Sequence, residues 1–223
     1  MISLYQVIVG LGGVGKSEIA VEYAYRHAYE YDQAIWWIDA ESDGQILAAY
    51  RDFAVKKKLI EEEAKPDDVR EAVRNGMQGH ENWLFIFDNA DDERENKPYR
   101  LLEPYLPGDL RGRRHVLITS RFSLWRGFAE AISVEMFSPR EVTNFLSTAT
   151  GLPTDEAQTE LAQELGYLPL ALWPRRRPIS RCINSAIATI LTGSGNIVCG
   201  CSARKPTRHW SRKRPFTSHG ISL

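Results

Sequence analysis

Eight residues near the start of the chain have the types and spacing to hold a phosphate. Gly10-Leu11-Gly12-Gly13-Val14-Gly15-Lys16-Ser17 fits the pattern G-x-x-x-x-G-K-[S/T] in full. Glycines reach backbone conformations closed to other residues, so successive N–H groups can converge on one anion. A helix opening near Lys16 would add its positive N-terminal end. Lys16 supplies a mobile cation for the β- and γ-phosphates, and the Ser17 hydroxyl is a ligand for Mg²⁺. Two more residues fit the same chemistry. Asp88 ends the apolar run Leu84-Phe85-Ile86-Phe87, where a carboxylate can hold the Mg²⁺ through water. Arg121 ends Ile118-Thr119-Ser120-Arg121, where a guanidinium can reach the γ-phosphate. For Asp88 the alternative is a solvated strand-end Asp, and for Arg121 a surface salt bridge.

Asn89 stands where many such sites place a water-activating carboxylate. An amide accepts no proton at neutral pH. Asp91 or Asp92 could substitute, though Asp91, Asp92, Glu93 and Glu95 also read as a solvated acidic loop. Hydrolysis is therefore expected to be slow or to depend on another group.

These residues need elements that bring them together. Residues 6–9 form a short apolar strand, and Glu18 to about Tyr31 reads as a helix with Ile19, Ala20, Tyr23 and Ala24 on one face. Ala34–Asp39 is a second strand, apolar nearly throughout, as suits one covered on both faces. Ser42 caps a helix to about Lys58 that buries Ile46, Leu47, Tyr50, Phe53 and Ala54. A charged stretch, Glu61–Asp68, leads into a helix near 67–79. Trp83–Asp88 is the third strand. A short helix near Tyr99–Leu106 stops at Pro107-Gly108, and His115–Arg121 is the fourth strand. Ile132–Phe137 reads as a fifth. Ser138-Pro139-Arg140-Glu141 is a capping box with Pro at the first helical position, opening a helix to about Thr150. Thr154 is the expected cap of a last helix ending at Gly166. Alternating strands and helices predict an α/β fold with a parallel sheet. Trp36, Trp37, Trp83 and Phe87 read as core, whereas Trp125 is ambiguous. His27, His80 and His115 have no metal-site spacing.

The 223 residues suit one domain with an appendage. No apolar run reaches membrane-span length and no secretory signal is visible, so a cytoplasmic protein with no membrane partner is expected. The formal net charge of −1 hides an asymmetry: residues 1–172 carry a net −11 and residues 173–223 a net +10. All three cysteines (Cys182, Cys199, Cys201) lie in the basic segment, so no disulfide supports the first part.

Taken in order, these motifs resemble the NB-ARC family of STAND ATPases, which includes plant disease-resistance proteins and apoptotic protease-activating factors. Gly10–Ser17 matches its phosphate loop. Trp37-Ile38-Asp39-Ala40 and Trp83 to Asp92 are similar to the second strand and Walker B segment of the subset often joined to tetratricopeptide repeats. His115–Arg121 resembles its sensor strand. Gly166-Tyr167-Leu168-Pro169-Leu170-Ala171-Leu172 resembles the Gly-Leu-Pro-Leu-Ala-Leu motif of its helical lobe. The resemblance covers about 7–172. It implies a P-loop NTPase core (1–137) with a five-stranded sheet in the order 2-3-4-1-5, and a partial helical lobe (138–172). It implies ADP or ATP with Mg²⁺ as cofactors, held by Gly10, Gly12, Gly13, Val14, Gly15, Lys16, Ser17 and Glu18. Pro169 would sit against the nucleotide, and Lys16, Asp88 and Arg121 would act on the phosphates. It also implies a switch, closed with ADP and opened by ATP for self-assembly.

The sequence departs from that family at both ends. Only nine residues precede Gly10, and the winged-helix domain and the repeats are missing. A monomer is therefore expected. After Leu172 the chain loses all helical period. With favourable codons, a two-base phase shift from Trp173 yields a family-like peptide, so 173–223 reads as an out-of-frame, disordered product. Its basic residues Arg204, Lys205, Arg208, Arg212, Lys213 and Arg214, with Trp210 and Phe216, alternatively suit nucleic acid, which is not the expected partner. Cys199-Gly200-Cys201 lacks zinc-knuckle spacing. The competing functional readings are a turnover ATPase, a nucleic-acid binder and a non-functional remnant.

Overall fold

The computed structural model describes residues 5–31, 34–78, 81–91, 99–107, 113–125, 127–151, 153 and 155–172. Expectations for Thr154, Asp92 and residues 173–223 fall outside these. Five strands, β1 (Tyr5–Val9), β2 (Ile35–Asp39), β3 (Asn82–Asp88), β4 (Arg113–Ser120) and β5 (Glu130–Ser133), form one sheet in the order β2-β3-β4-β1-β5. Every pairing is parallel. The molecule is thus an α/β fold with the strand order of a P-loop NTPase, as expected.

Parallel strands require crossovers, and these cover both faces. Helix α1 (Lys16–Arg26) and a 3₁₀ turn (Ala28–Tyr31) lie on one face; α2 (Asp43–Lys56) and α3 (Pro66–Gln78) lie on the other. The period of two explains how one apolar run serves two cores. Ile8, Ile35, Leu84, Ile86 and Leu117 pack with Ile19, Ala20, Tyr23 and Ala24 of α1. Their neighbours Val7, Val9, Trp36, Ile38, Phe85, Phe87, Val116 and Ile118 pack with Ile46, Tyr50 and Ala54 of α2 and Val69, Val73 and Met77 of α3. Trp36 stacks on Phe53 at 4.4 Å between ring centroids. Trp125 also belongs to this second core and is fully buried, which settles its role as packing.

Element ends shifted from expectation where local capping decided them. The first helix ends at Arg26, and Ala28–Tyr31 tightens into a 3₁₀ turn. Tyr31 is buried there, its hydroxyl 2.8 Å from both Tyr23 Oη and His115 Nδ1. The segment Tyr99–Tyr105 is one helical turn, α4 (Tyr99–Leu102), followed by a 3₁₀ turn. The fifth strand occupies Glu130–Ser133, short of Phe137, because Phe137 instead enters a separate small core.

That small core holds the helical lobe. Helix α5 (Pro139–Thr150) opens with the full capping box: Glu141 N–H donates to Ser138 Oγ at 3.3 Å, and Ser138 N–H donates to the Glu141 carboxylate at 2.7 Å. Helix α6 (Glu156–Glu164) is capped by Asp155, whose carboxylate accepts Gln158 N–H at 2.8 Å. The cap thus stands one residue after the expected position, where a carboxylate reaches the free Gln158 amide. Phe137, Val142, Ala162 and Leu172 close this core. Among the described residues no helix is long and apolar enough to cross a membrane.

Two substitutions test this packing. Trp125→Ala should cost about 3–5 kcal/mol by leaving a cavity. Ser138→Ala should cost about 1 kcal/mol by removing a helix cap. Denaturant unfolding followed by circular dichroism reads both.

Candidate phosphate and metal site

The glycine-rich loop joins β1 to α1 at the C-terminal edge of the sheet, where open α/β folds place ligands. Three residues explain its glycines. Gly10 has φ +156°, and a Cβ there would stand 2.3 Å from the Val134 carbonyl oxygen. Gly13 and Gly15 have φ of +83° and +97°, a left-handed backbone that disfavours side chains. Gly15 is the N-terminal cap of α1, its carbonyl accepting Ile19 N–H at 3.0 Å. Gly12 meets neither constraint: among the described residues, its chain neighbours aside, no atom lies within 4 Å of where its Cβ would stand. A glycine with no internal reason for being glycine fits a loop that something else approaches closely. Val14 is buried in the α1-side core, so only its backbone is offered to a ligand, and Glu18 is exposed in the first turn of α1.

Lys16 folds over this loop. Its ammonium donates to the carbonyls of Gly10 and Leu11, both at 2.9 Å, and the residue is buried. Burial lowers its pKa; Asp91 pulls the other way, Arg121 reinforces the burial, and Asp88 opposes it. These four charged groups therefore share one local field.

Asp88 ends β3 beside the loop. Its Oδ1 accepts the Ser17 hydroxyl at 2.7 Å and the Thr119 hydroxyl at 2.6 Å. Burial raises the Asp88 pKa, which the two hydroxyl donors and Lys16 oppose and the neighbouring Asp39 supports. Asp39 is its partner in register on β2. Ser17 and Asp88, 71 residues apart, thus meet directly, and their hydroxyl and carboxylate oxygens fit a hard cation such as Mg²⁺. Thr119 was not singled out in the sequence. The signal was its place two residues before Arg121 on a strand neighbouring β3.

The segment after Asp88 is fastened to the end of β4. Asn89 takes φ +61° and donates its N–H to Thr119 Oγ1 at 2.9 Å. Ala90 N–H donates to the Thr119 carbonyl at 2.9 Å, and the Ser120 hydroxyl donates to the Ala90 carbonyl at 2.8 Å. Asp91 is not part of a solvated loop. Its side chain is 9% exposed and is held by Arg121 Nε at 2.7 Å, Arg121 N–H at 2.5 Å and Ser120 Oγ at 3.1 Å. Arg121 lies just past β4 and is half exposed, in an ion pair with Asp91.

The helical lobe touches the loop itself. Leu170 N–H donates to the Gly13 carbonyl at 3.1 Å, and Phe137 N–H donates to the Tyr167 carbonyl at 3.1 Å. Pro169 is buried in this turn, next to the residue that binds Gly13. The groove along α2 lined by Gly44, Leu47, Arg51, Val55 and Glu62 is a separate feature, on another part of the surface.

No protein-family model matches the chain. It is similar to a nucleotide-binding leucine-rich repeat (NLR)-like protein of Hyaloscypha variabilis, 27% identical over 186 residues, covering 74% of this chain and 18% of that protein. It is also similar to the regulatory protein AfsR of Streptomyces griseus, 27% identical over 176 residues, covering 74% of this chain and 17% of the relative. The chain thus spans less than a fifth of the length of either.

The raised Asp88 pKa has a direct consequence for stability. The folded state binds the proton more tightly than the unfolded chain, so this group favours folding below its ordinary value of 3.8. That contribution is lost as pH rises through the raised value. Asp88→Asn should therefore make the ligand-free protein more stable at pH 7. It should also flatten the pH dependence in the acid range, read by thermal unfolding from pH 3 to 7.

Proposed function

We propose that this chain is the nucleotide-binding switch module of a STAND-class signalling ATPase of the NB-ARC type. It takes ADP or ATP with Mg²⁺ and hydrolyses slowly or not at all. The single observation that carries the reading is the contact of Ser17 with Asp88, at 2.7 Å, below a glycine loop that opens a helix. Distant similarity to an NLR-like protein and to a bacterial regulator supports the signalling class.

Each residue then has a role. The loop amides of Gly10 to Gly15 and the N-terminus of α1 bind the phosphates. Lys16, released from the Gly10 and Leu11 carbonyls, pairs with the β- and γ-phosphates. Ser17 and Asp88 hold Mg²⁺, which supplies neutralisation of phosphate charge. Thr119 orients Asp88, and Arg121 senses the terminal phosphate. Pro169, in the turn fastened to Gly13, carries the state of the loop to the helical lobe.

Slow chemistry follows from the same residues. Asn89 has no basic oxygen to offer a water, and the Asp91 carboxylate is engaged by Ser120 and Arg121. Preference for adenine rests on the resemblance, since the chain has no Asn-Lys-x-Asp guanine motif. In a longer protein such a module would couple nucleotide state to assembly.

Purified protein, denatured and analysed by chromatography, should release close to one ADP per chain. Lys16→Ala should retain little and bind added nucleotide at least about tenfold more weakly, the loss of one charge-assisted contact. A parent chain that neither carries nor takes up ADP or ATP with Mg²⁺ overturns the reading.

A further inference from the structure

The pair Asp91–Arg121 joins a half-exposed cation to a buried anion. The side chain of Asp91 is almost wholly buried, and its position is fixed from both sides. Ala90 is pinned to Thr119 and Ser120 by two hydrogen bonds, and Asp91 N–H donates to the Asn89 carbonyl at 2.8 Å. The carboxylate itself takes the Arg121 amide, the Arg121 guanidinium and the Ser120 hydroxyl. One carboxylate therefore occupies the guanidinium that would otherwise meet a terminal phosphate.

We propose that Asp91 is a specificity-determining residue whose carboxylate stands in for a γ-phosphate toward Arg121, so that the site favours a nucleoside diphosphate over a triphosphate. The proposal rests on the nucleotide-binding reading above and adds the origin of its preference. A diphosphate leaves the Asp91–Arg121 pair intact. A triphosphate brings a further negative group towards a fixed carboxylate and must draw Arg121 away from it. The pair can yield on the Arg121 side, because that side chain is half exposed and water can take over its guanidinium. Asp91 cannot retreat, because β4 holds its backbone. The cost therefore falls on the triphosphate alone. The same geometry argues against Asp91 as a general base, since the oxygens a base would use already accept hydrogen bonds.

The test is a binding titration of fluorescent ADP and a fluorescent non-hydrolysable ATP analogue, each with Mg²⁺. The proteins are the full chain, Asp91→Asn, Arg121→Gln and the double variant. The parent should bind the diphosphate more tightly. Asp91→Asn should raise the ratio of triphosphate to diphosphate affinity about tenfold, the effect of removing one nearby charge, with diphosphate affinity little changed. Adding Arg121→Gln should reverse most of that gain. A variant in which Asp91 merely props the backbone would weaken both ligands together or lower the ratio; either result, or an unchanged ratio, overturns the proposal. If Asp91→Asn lacks a cooperative thermal transition, Asp91→Ser, a smaller neutral acceptor, makes the same measurement. A parent chain that binds neither ligand defeats the nucleotide reading itself. A parent that binds ADP beside an unmoved ratio defeats only the role of Asp91.

Discussion

One carboxylate oxygen connects three distant parts of the chain. Asp88 Oδ1 accepts from Ser17 at the start of α1 and from Thr119 on β4, while Asp88 itself ends β3. A carboxylate taken largely out of water must be met by donors or it costs free energy. Here the donors are hydroxyls that arrive only if β1, β3 and β4 are parallel and in register. The requirement to satisfy Asp88 and the requirement to align the sheet are thus the same requirement. Parallel pairing brings the C-terminal ends of these strands to one edge, and the hydrogen bonds of Asp88 report that the edge has formed.

From that edge the rest of the arrangement follows. Gly10 leaves β1 beneath the Val134 carbonyl, a passage too narrow for any side chain. The loop then turns through two left-handed glycines into α1, whose apolar stripe covers one face of the sheet. The two-residue alternation of β1 to β4 divides Val, Ile, Phe and Trp between two cores, so neither face is left to water. The helical lobe has its own small core and meets the loop through Leu170 and Gly13. A contact made by backbone atoms on both sides depends on loop conformation more than on side-chain identity. A change in the loop therefore has a direct mechanical route to the lobe.

The electrostatics of the edge are closely balanced. Lys16 is buried against carbonyls, and Asp88 is buried against hydroxyls. Burial works against the charged form of each. Asp39 adds a second carboxylate beside Asp88, and Asp91 neutralises Arg121. Burying charged groups in this way costs stability that their hydrogen-bond partners only partly return. The proteins it is similar to are several times longer, and the chain spans less than a fifth of either.

Much of this was legible in the residues alone. The glycine–lysine–serine spacing, the alternation of short apolar runs with amphipathic helices, and the Ser138 capping box are local patterns. Local sterics and hydrogen bonding determine them, and the structure carries each one. Helix ends were less legible, since Asp155, one residue after the expected position, caps α6 and the α1 helix tightens at Ala28 to bury Tyr31. Those outcomes depend on which polar atom reaches a free amide and on what a side chain meets across the fold. Thr119, the burial of Trp125 and the capture of Asp91 by Arg121 were decided only in three dimensions. Ser17 and Asp88 are separated by 71 residues and Asp91 and Arg121 by 30. No pattern within a window of sequence encodes such distances; they arise when a parallel sheet brings its strand ends to one edge.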